Sequence, residues 1–135
     1  MKMNRQFAAV LAAGVCIGVV VTQGIRAAET ENRPGYIIAE VEKDPSKPQD
    51  PAGARRYKEE APKSLVPFNG RYVIIDSKVQ TLEGDAFKGY IVVLRFDSAA
   101  RAREWYDSPA YQAIRPIRQN TTKSRLLLVQ GVAEH

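Results

Sequence analysis

The sequence predicts one small α+β domain whose elements follow the order βαββαβ. Three observations predict it: four short runs rich in β-branched residues, two intervening stretches whose apolar residues recur every three or four positions, and turn residues at the junctions. With 135 residues, of which 44% are hydrophobic and 26% charged, the chain is long enough for one globular domain and too short for two.

The first crossover unit is a strand, a helix and a second strand. A strand is predicted over residues 35–41, and Asp50-Pro51 then supplies an N-cap and a proline at the first helical position. Pro62 lacks an N–H and is expected to kink this helix or end it early. The second strand is predicted over residues 71–76, with a continuation over residues 79–82.

The second crossover unit repeats this pattern. A strand is predicted over residues 89–96, and Ser98 is a suitable N-cap for the helix that follows. Ser108-Pro109 breaks that helix and restarts it, and the helix is expected to run toward Pro116. The last strand is predicted over residues 124–132.

Two right-handed crossover units of this kind interleave into a four-stranded antiparallel sheet with both helices on one face, the ferredoxin-like α+β sandwich. A sheet with only one buried face should alternate apolar and polar residues, but these strands are apolar in both registers. Two helices cannot cover both faces. We therefore expect a homodimer that closes sheet to sheet as an α/β barrel.

The N-terminal segment has the pattern of a secretory signal. A basic start is followed by an uncharged apolar run, residues 7–25, and by the small pair Ala27 and Ala28. The exit is imperfect, because cleavage after Ala27 would put Ile25 at position −3. The apolar run is also about as long as a marginal membrane span, ~18–20 residues.

Two fates of residues 1–28 therefore stay open, a cleaved signal peptide and an uncleaved N-terminal anchor. We expect residues 29–33 to be a linker and residues 34–133 to be the folded domain. The domain is expected in the periplasm or outside the cell, or, in the alternative, attached to the inner membrane on its outer side. Contact with a membrane is expected only if the signal is uncleaved, and then only through residues 1–28.

Charge and rare residues exclude several classes of function. The net charge is +5, but Lys2, Arg5 and Arg26 precede the first acidic residue, so the rest of the chain carries only +2, too little to indicate nucleic-acid binding. Cys16 lies in the apolar run and His135 is the last residue. The predicted domain therefore lacks the residues for a cysteine nucleophile, a Ser-His-Asp triad, a His-ligated haem or a His/Cys zinc site. We expect no cofactor and no metal.

Candidate site residues come from the aromatic and charged positions. A pocket between the sheet and the helices is expected to be lined by Tyr57, Arg71, Trp105, Tyr106 and Tyr111. Trp105 and Tyr106 are adjacent on a helix and point about 100° apart, so at most one of them can face the sheet squarely. Glu40 and Arg95 are charges within apolar strands that are neighbours in the predicted sheet, so we expect them to meet as a structural ion pair or as a pocket acid and its partner.

An ordered set of segments resembles domain-of-unknown-function family 1330, within the dimeric α/β-barrel group of ferredoxin-like proteins. The segments begin with Gly-Tyr-Ile-Ile-Ala-Glu-Val and include Trp-Tyr-Asp-Ser-Pro-Ala-Tyr-Gln; they are residues 35–41, 50–57, 65–72, 82–85, 91–96, 105–112 and 125–132. The resemblance implies the fold and the dimer and names no substrate. One departure is Ile75-Asp76-Ser77 where members usually have Arg-Gly-Gly, so an anion-binding role of that arginine is not carried over.

Three functions stay open at this point. The first is a protein that binds a small aromatic or amphipathic molecule in the pocket. The second is a cofactor-independent enzyme, similar to an isomerase or a monooxygenase, in which Glu40 or Asp107 is the general base and Arg71 or Tyr106 stabilises an oxyanion. The third is a structural or accessory dimer without a ligand.

Overall fold

The structure is a computed structural model that describes residues 33–135. The predicted signal or anchor, residues 1–28, lies outside the described residues, as does the predicted linker apart from Arg33. Four strands and three helices follow in the order β1, α1, β2, β3, α2, α3, β4. Their bounds are β1 Gly35–Lys43, α1 Pro51–Leu65, β2 Arg71–Asp76, β3 Gly89–Phe96, α2 Ala99–Asp107, α3 Pro109–Thr121 and β4 Thr122–Gln130, with a 3₁₀ turn at Val66–Phe68 after α1.

The four strands form one antiparallel sheet in the order β2-β3-β1-β4, which confirms the predicted ferredoxin-like topology. The helices pack on one face, and the core lies between them and the central strands β1 and β3. Its buried residues are Ile37, Leu94 and Phe96 from the sheet and Ala61, Leu65, Ala102, Trp105, Tyr111 and Ile114 from the helices.

Helix α1 begins as predicted, with the carboxylate of Asp50 accepting a hydrogen bond from the Gly53 N–H at 2.8 Å. Pro62 was expected to kink the helix or end it early; the helix does not end early but continues to Leu65, and the kink stays a prediction. Proline deprives the carbonyl of Lys58 of its partner, but Lys58 and Pro62 are both exposed, so this position is on the solvent side of the helix.

Ser108 separates α2 from α3, as predicted. Its hydroxyl donates to the Trp105 carbonyl at 2.7 Å and accepts from the Tyr111 N–H at 3.3 Å, so one side chain ends the first helix and caps the second. Helix α3 runs past the exposed Pro116 to Thr121, and β4 consequently starts at Thr122, two residues before the predicted start.

The connection between β2 and β3 contains no strand, so the predicted continuation of β2 over residues 79–82 is wrong. Strand β2 itself carries an irregularity between Tyr72 and Ile74, where its pairing with β3 shifts by one residue. Strand β2, at the edge of the sheet, is thus shorter than its neighbour β3 and irregularly paired with it.

The face of the sheet opposite the helices is apolar, and no helix within residues 33–135 covers it. Its cross-strand neighbours include Ile38, Val93 and Leu127, which lie side by side on β1, β3 and β4, and Tyr36 and Val129 beyond them. We call this surface the open face. Its apolar character confirms that the strands are apolar in both registers, as the sequence indicates.

The register corrects the predicted pairing of Glu40 with Arg95. Glu40 lies opposite Ile91 on β3 and opposite Arg125 on β4, and its carboxylate pairs with Arg125 at 2.6 Å. Arg95 lies opposite Tyr36 and pairs instead with Glu134. The two charges are on the open face, four positions apart along the ladder.

No helix within residues 33–135 combines the length and the hydropathy needed to cross a membrane.

Candidate functional site

A cleft opens on the helix side of the sheet, between α1, α3 and the edge formed by β2 and β3. Its volume is about 640 Å³. The side chains that line it are mainly apolar or aromatic: Ala54, Tyr57, Lys58, Ala61 and Pro62 from α1, Tyr72, Ile75 and Tyr90 from the strands, and Ile117, Arg118, Thr121 and Thr122 from the end of α3 and the start of β4.

The cleft exists because α1 presents small residues toward the sheet. Ala54, Tyr57 and Ala61 follow one another at spacings of three and four, so they share one face of the helix, and only Tyr57 among them is large. A smaller space of about 70 Å³ lies deeper, between the sheet and the aromatic rings of Trp105 and Tyr111. Tyr57 and four other side chains line both spaces, so the cleft narrows toward the core.

Arg118 is the charged group at the inner end of the cleft. It is only 8% exposed, although it lines both the cleft and the deeper space. Its Nη1 donates to the hydroxyl of Ser124, and its Nε is buried without a partner among the described residues. Burial disfavours the charge, but the hydroxyls of Tyr111 and Tyr57 outweigh that effect and raise the pKa of Arg118, so the guanidinium stays positive.

Tyrosines surround this guanidinium. The hydroxyls of Tyr57 and Tyr111 lie 3.0 Å apart, and their rings meet edge to face with centroids 6.4 Å apart. Burial, followed by the effect of Tyr111, raises the pKa of Tyr57 far above its ordinary value. Burial also raises the pKa values of Tyr72 and Tyr90, so these three phenols stay neutral at physiological pH. The cleft thus combines apolar walls, neutral hydroxyls and a buried positive charge.

The structure brings together three of the five predicted pocket residues. Tyr57 lines the cleft, and Tyr111 and Trp105 form the wall of the deeper space, with Trp105 and Tyr111 stacked at a centroid distance of 4.0 Å. Trp105 is 2% exposed and its Nε1 donates to the hydroxyl of Ser64 at 2.9 Å. Trp105 is therefore a core residue that also supports the site.

The other two predicted pocket residues lie elsewhere. Tyr106 is half-buried in a separate groove between α2 and β4, with the guanidinium of Arg115 4.8 Å above its ring. Arg71 is exposed and lies opposite Arg95 on the open face. Its placement in the pocket was wrong because the sequence does not reveal to which face of an edge strand a residue points.

Neither predicted carboxylate base lies in the cleft. Glu40 is on the open face, in its ion pair with Arg125. Asp107 is at the end of α2 and pairs with Arg103 at 2.7 Å. The residues that line the cleft include no Asp or Glu. The general base of the enzyme hypothesis therefore has no candidate at this site.

Arg118, Tyr72 and Tyr90 belong to the site and were not predicted. A signal for Arg118 was present, since Tyr111, Ile114 and Arg118 recur at spacings of three and four and are the buried residues of α3. A charged residue on the apolar face of a helix indicates a buried charge at a site.

Among the described residues, no three His, Cys, Asp or Glu side chains lie close enough together to hold a metal ion.

Comparisons with known proteins agree on family and fold. The model of one family, described as a domain of unknown function (DUF1330), matches residues 34–132. No curated protein matches the chain. A protein of unknown function from Rhodopseudomonas palustris superposes with a TM-score of 0.60 at 20% identity, over 84% of this chain and 93% of that one.

A second solved structure is a dimeric ferredoxin-like protein of unknown function from Thermobifida fusca. It superposes with a TM-score of 0.50 at 17% identity, over 75% of this chain and 92% of that one. At these identities the two structures show a common fold and carry no activity over to this chain. The predicted family and the predicted ferredoxin-like fold are both confirmed.

Proposed function

This chain belongs to the DUF1330 family of domains of unknown function, and from that premise we propose that it binds a small aromatic or amphipathic molecule in the cleft beneath α1. The observation that carries the proposal is the cleft itself. Its volume of about 640 Å³ falls within the ~300–1,000 Å³ of typical ligand sites, and its walls combine tyrosine rings with a few polar groups.

Hydrogen bonds and ring stacking hold the side chains at the base of the cleft in place. Tyr57 is held by the Tyr111 hydroxyl, and Tyr111 is stacked on Trp105, which is itself hydrogen-bonded to Ser64. Side chains locked by packing and hydrogen bonds lose little freedom when a ligand binds, which favours affinity. The flat aromatic surfaces suit a ligand that is itself flat and apolar over most of its area.

A variant that fills the cleft tests this proposal. Ala54 is exposed and lines the cleft, so Ala54→Trp should obstruct it without disturbing the core. We expect this variant to weaken binding of the neutral dye N-phenyl-1-naphthylamine at least ~tenfold, which corresponds to about 1.4 kcal/mol. Fluorescence titration measures the affinity.

Ala52→Trp is the matched control, since Ala52 is exposed on the same helix and is not among the residues that line the cleft. It should bind the dye as the native protein does. Equal affinities for the native protein and for Ala54→Trp would mean that the dye binds elsewhere and would refute the proposed site. Native mass spectrometry of gently purified protein identifies any ligand that stays bound.

We propose further that the protein acts as a homodimer outside the cytoplasmic membrane. The apolar open face supports the dimer, because a lone domain with such a surface would expose it to water. The solved structure from Thermobifida fusca is described as dimeric and has the same fold. The signal-like pattern of residues 1–28 supports export.

A further inference from the structure

We propose that the molecule bound in the cleft carries an anionic group, a carboxylate in the simplest case, and that Arg118 is its counter-ion. This inference rests on the proposed function, since it concerns the same cleft. It narrows the ligand class to organic acids with an apolar or aromatic body.

Arg118 is a buried cation that no acid of the described chain neutralises. It is 8% exposed, yet it borders the cleft. The six ion pairs within residues 33–135 all involve other basic residues. A charged group removed from water without an opposite charge destabilises the folded state. A positive charge kept in such a place, beside a ligand cleft, indicates a partner that arrives from outside the protein.

The hydrogen bonds of Arg118 are also incomplete. Nη1 donates to the Ser124 hydroxyl and the guanidinium also interacts with the hydroxyls of Tyr57 and Tyr111, whereas Nε has no acceptor among residues 33–135. A guanidinium carries five N–H donors in a planar fork, and that fork matches the two oxygens of a carboxylate. A neutral ligand could accept one of these bonds but would leave the charge uncompensated.

Tyr57 and Tyr111 add a further donor beside the guanidinium. Their hydroxyls are 3.0 Å apart, so one hydroxyl donates a hydrogen bond to the other. The accepting hydroxyl keeps its own proton, which it can donate to a ligand oxygen. Both phenols interact with Arg118. The polar end of the cleft therefore offers donors and positive charge, the complement of an anion.

The charges around the cleft agree with this assignment. Lys58 is a second cation on the wall of the cleft, and the lining contains no acid. In the adjoining groove at the ends of β1 and β3, Lys43 and Lys88 are balanced by Glu42 and Asp50. The cleft thus carries an excess of positive charge that the adjoining groove does not, and this charge favours entry of an anion.

Two probes of equal shape test the proposal. Naphthalene-2-carboxylate and 2-naphthamide share one ring system and differ mainly in charge. We expect the native protein to bind the carboxylate at least ~tenfold more tightly than the amide at pH 7, because a buried guanidinium discriminates strongly in favour of an anion. Isothermal titration calorimetry measures both affinities.

Arg118→Met removes the charge and keeps much of the side-chain volume. It should abolish the preference for the carboxylate while the affinity for the amide changes less than ~threefold. The melting temperature of the ligand-free variant is measured alongside, because Arg118→Met also removes the hydrogen bond to Ser124 and the interaction with the two tyrosine hydroxyls. Arg118→Lys keeps the charge without the fork and should retain part of the preference. If the methionine variant folds poorly, a preference that Arg118→Lys reduces still supports the assignment, and one that it leaves at the native value contradicts it.

Arg125→Met is the matched control, since Arg125 is an arginine on the open face, and it should leave both affinities unchanged. Equal binding of the two probes to the native protein would overturn the anion assignment and leave the cleft intact. A preference for the carboxylate that survives in both Arg118 variants would do the same. Failure of both probes to bind, together with dye binding that Ala54→Trp leaves unchanged, would instead refute the proposed function.

Discussion

Trp105 joins helices α1 and α2 through one side chain. Its indole N–H donates to the Ser64 hydroxyl at 2.9 Å, and that hydroxyl donates in turn to the Ala61 carbonyl at 2.6 Å. The indole ring also stacks against Tyr111, whose hydroxyl reaches Tyr57. The position of the Tyr57–Tyr111 pair over the cleft therefore depends on a buried residue that does not face solvent.

Ser64→Ala should destabilise the protein by about 1–3 kcal/mol, because it leaves the buried indole N–H of Trp105 without an acceptor. Urea unfolding followed by tryptophan fluorescence measures the change. Ser77→Ala, at an exposed position in the connection after β2, should change the free energy of unfolding by less than ~0.5 kcal/mol. A comparable loss in both variants would show that the hydrogen bond is not the cause.

The sequence predicted that Trp105 and Tyr106 could not both face the sheet, and this is confirmed, since Trp105 is buried and Tyr106 is half-buried in another groove. Helix geometry fixes the angle between neighbouring side chains, so that relation is local. The role of Arg118 is not local. It depends on the absence of an acid nearby, which only the assembled fold determines.

Helices α2 and α3 follow each other directly and are separated by a break at Ser108-Pro109. The break lets Tyr111 turn toward Trp105, while Ser108, itself buried, satisfies backbone groups of both helices. Pro109 has no N–H to leave unpaired at the first position of α3. The two residues therefore remove most of the cost of interrupting the helix.

Ser108→Ala should destabilise the protein by about 1–2 kcal/mol, since it removes the cap of α3 and a bond to the end of α2. Ser98→Ala removes a cap from α2 only and should cause a smaller loss. Chemical denaturation of the two variants compares them. The dual role of Ser108 would be contradicted if Ser98→Ala proved the more damaging change.

Capping residues were thus good predictors at this scale, whereas interior prolines were not. Ser98 and Ser108 cap helices where the sequence indicates, because a cap depends on residues three positions away. Pro62 and Pro116 stand inside helices that continue past them. A proline ends a helix only if the loss of one hydrogen bond exceeds what packing of the following turn contributes, and packing is not visible in the sequence.

At the scale of the whole molecule, the four strands within residues 33–135 form a sheet with two unlike surfaces. The helix side is packed and carries the cleft, and the open face is apolar with charges at Glu40, Arg95 and Arg125. Apolar strands in both registers were sufficient to predict that both faces of the sheet are apolar. The cross-strand partners were not predictable, because Glu40 had two neighbouring strands and the sequence does not state which residue of either lies opposite.

The open face supplies a test of the dimer. Ile38→Asp would place a charge at the centre of that face, between Val93 and Leu127, and should convert a dimer into monomers. Size-exclusion chromatography with light scattering should give about twice the mass of one chain for the native protein and the mass of one chain for the variant.

Val66→Asp is the control, since Val66 is 74% exposed on the 3₁₀ turn, away from the sheet, and should leave the dimer intact. A native protein that is a stable monomer would refute the dimer. A dimer that persists in Ile38→Asp would mean that the subunits meet through another surface.

The alternation of side chains along β3 has a consequence for how the protein can change over generations. Tyr90, Val92 and Leu94 point toward the cleft and core, while Ile91 and Val93 point toward the open face. Selection for a new ligand and selection for a tighter subunit contact would therefore act on alternate residues of β3. Residues of β3 that face the cleft can therefore be substituted while those that face the other subunit are conserved, and the reverse also holds.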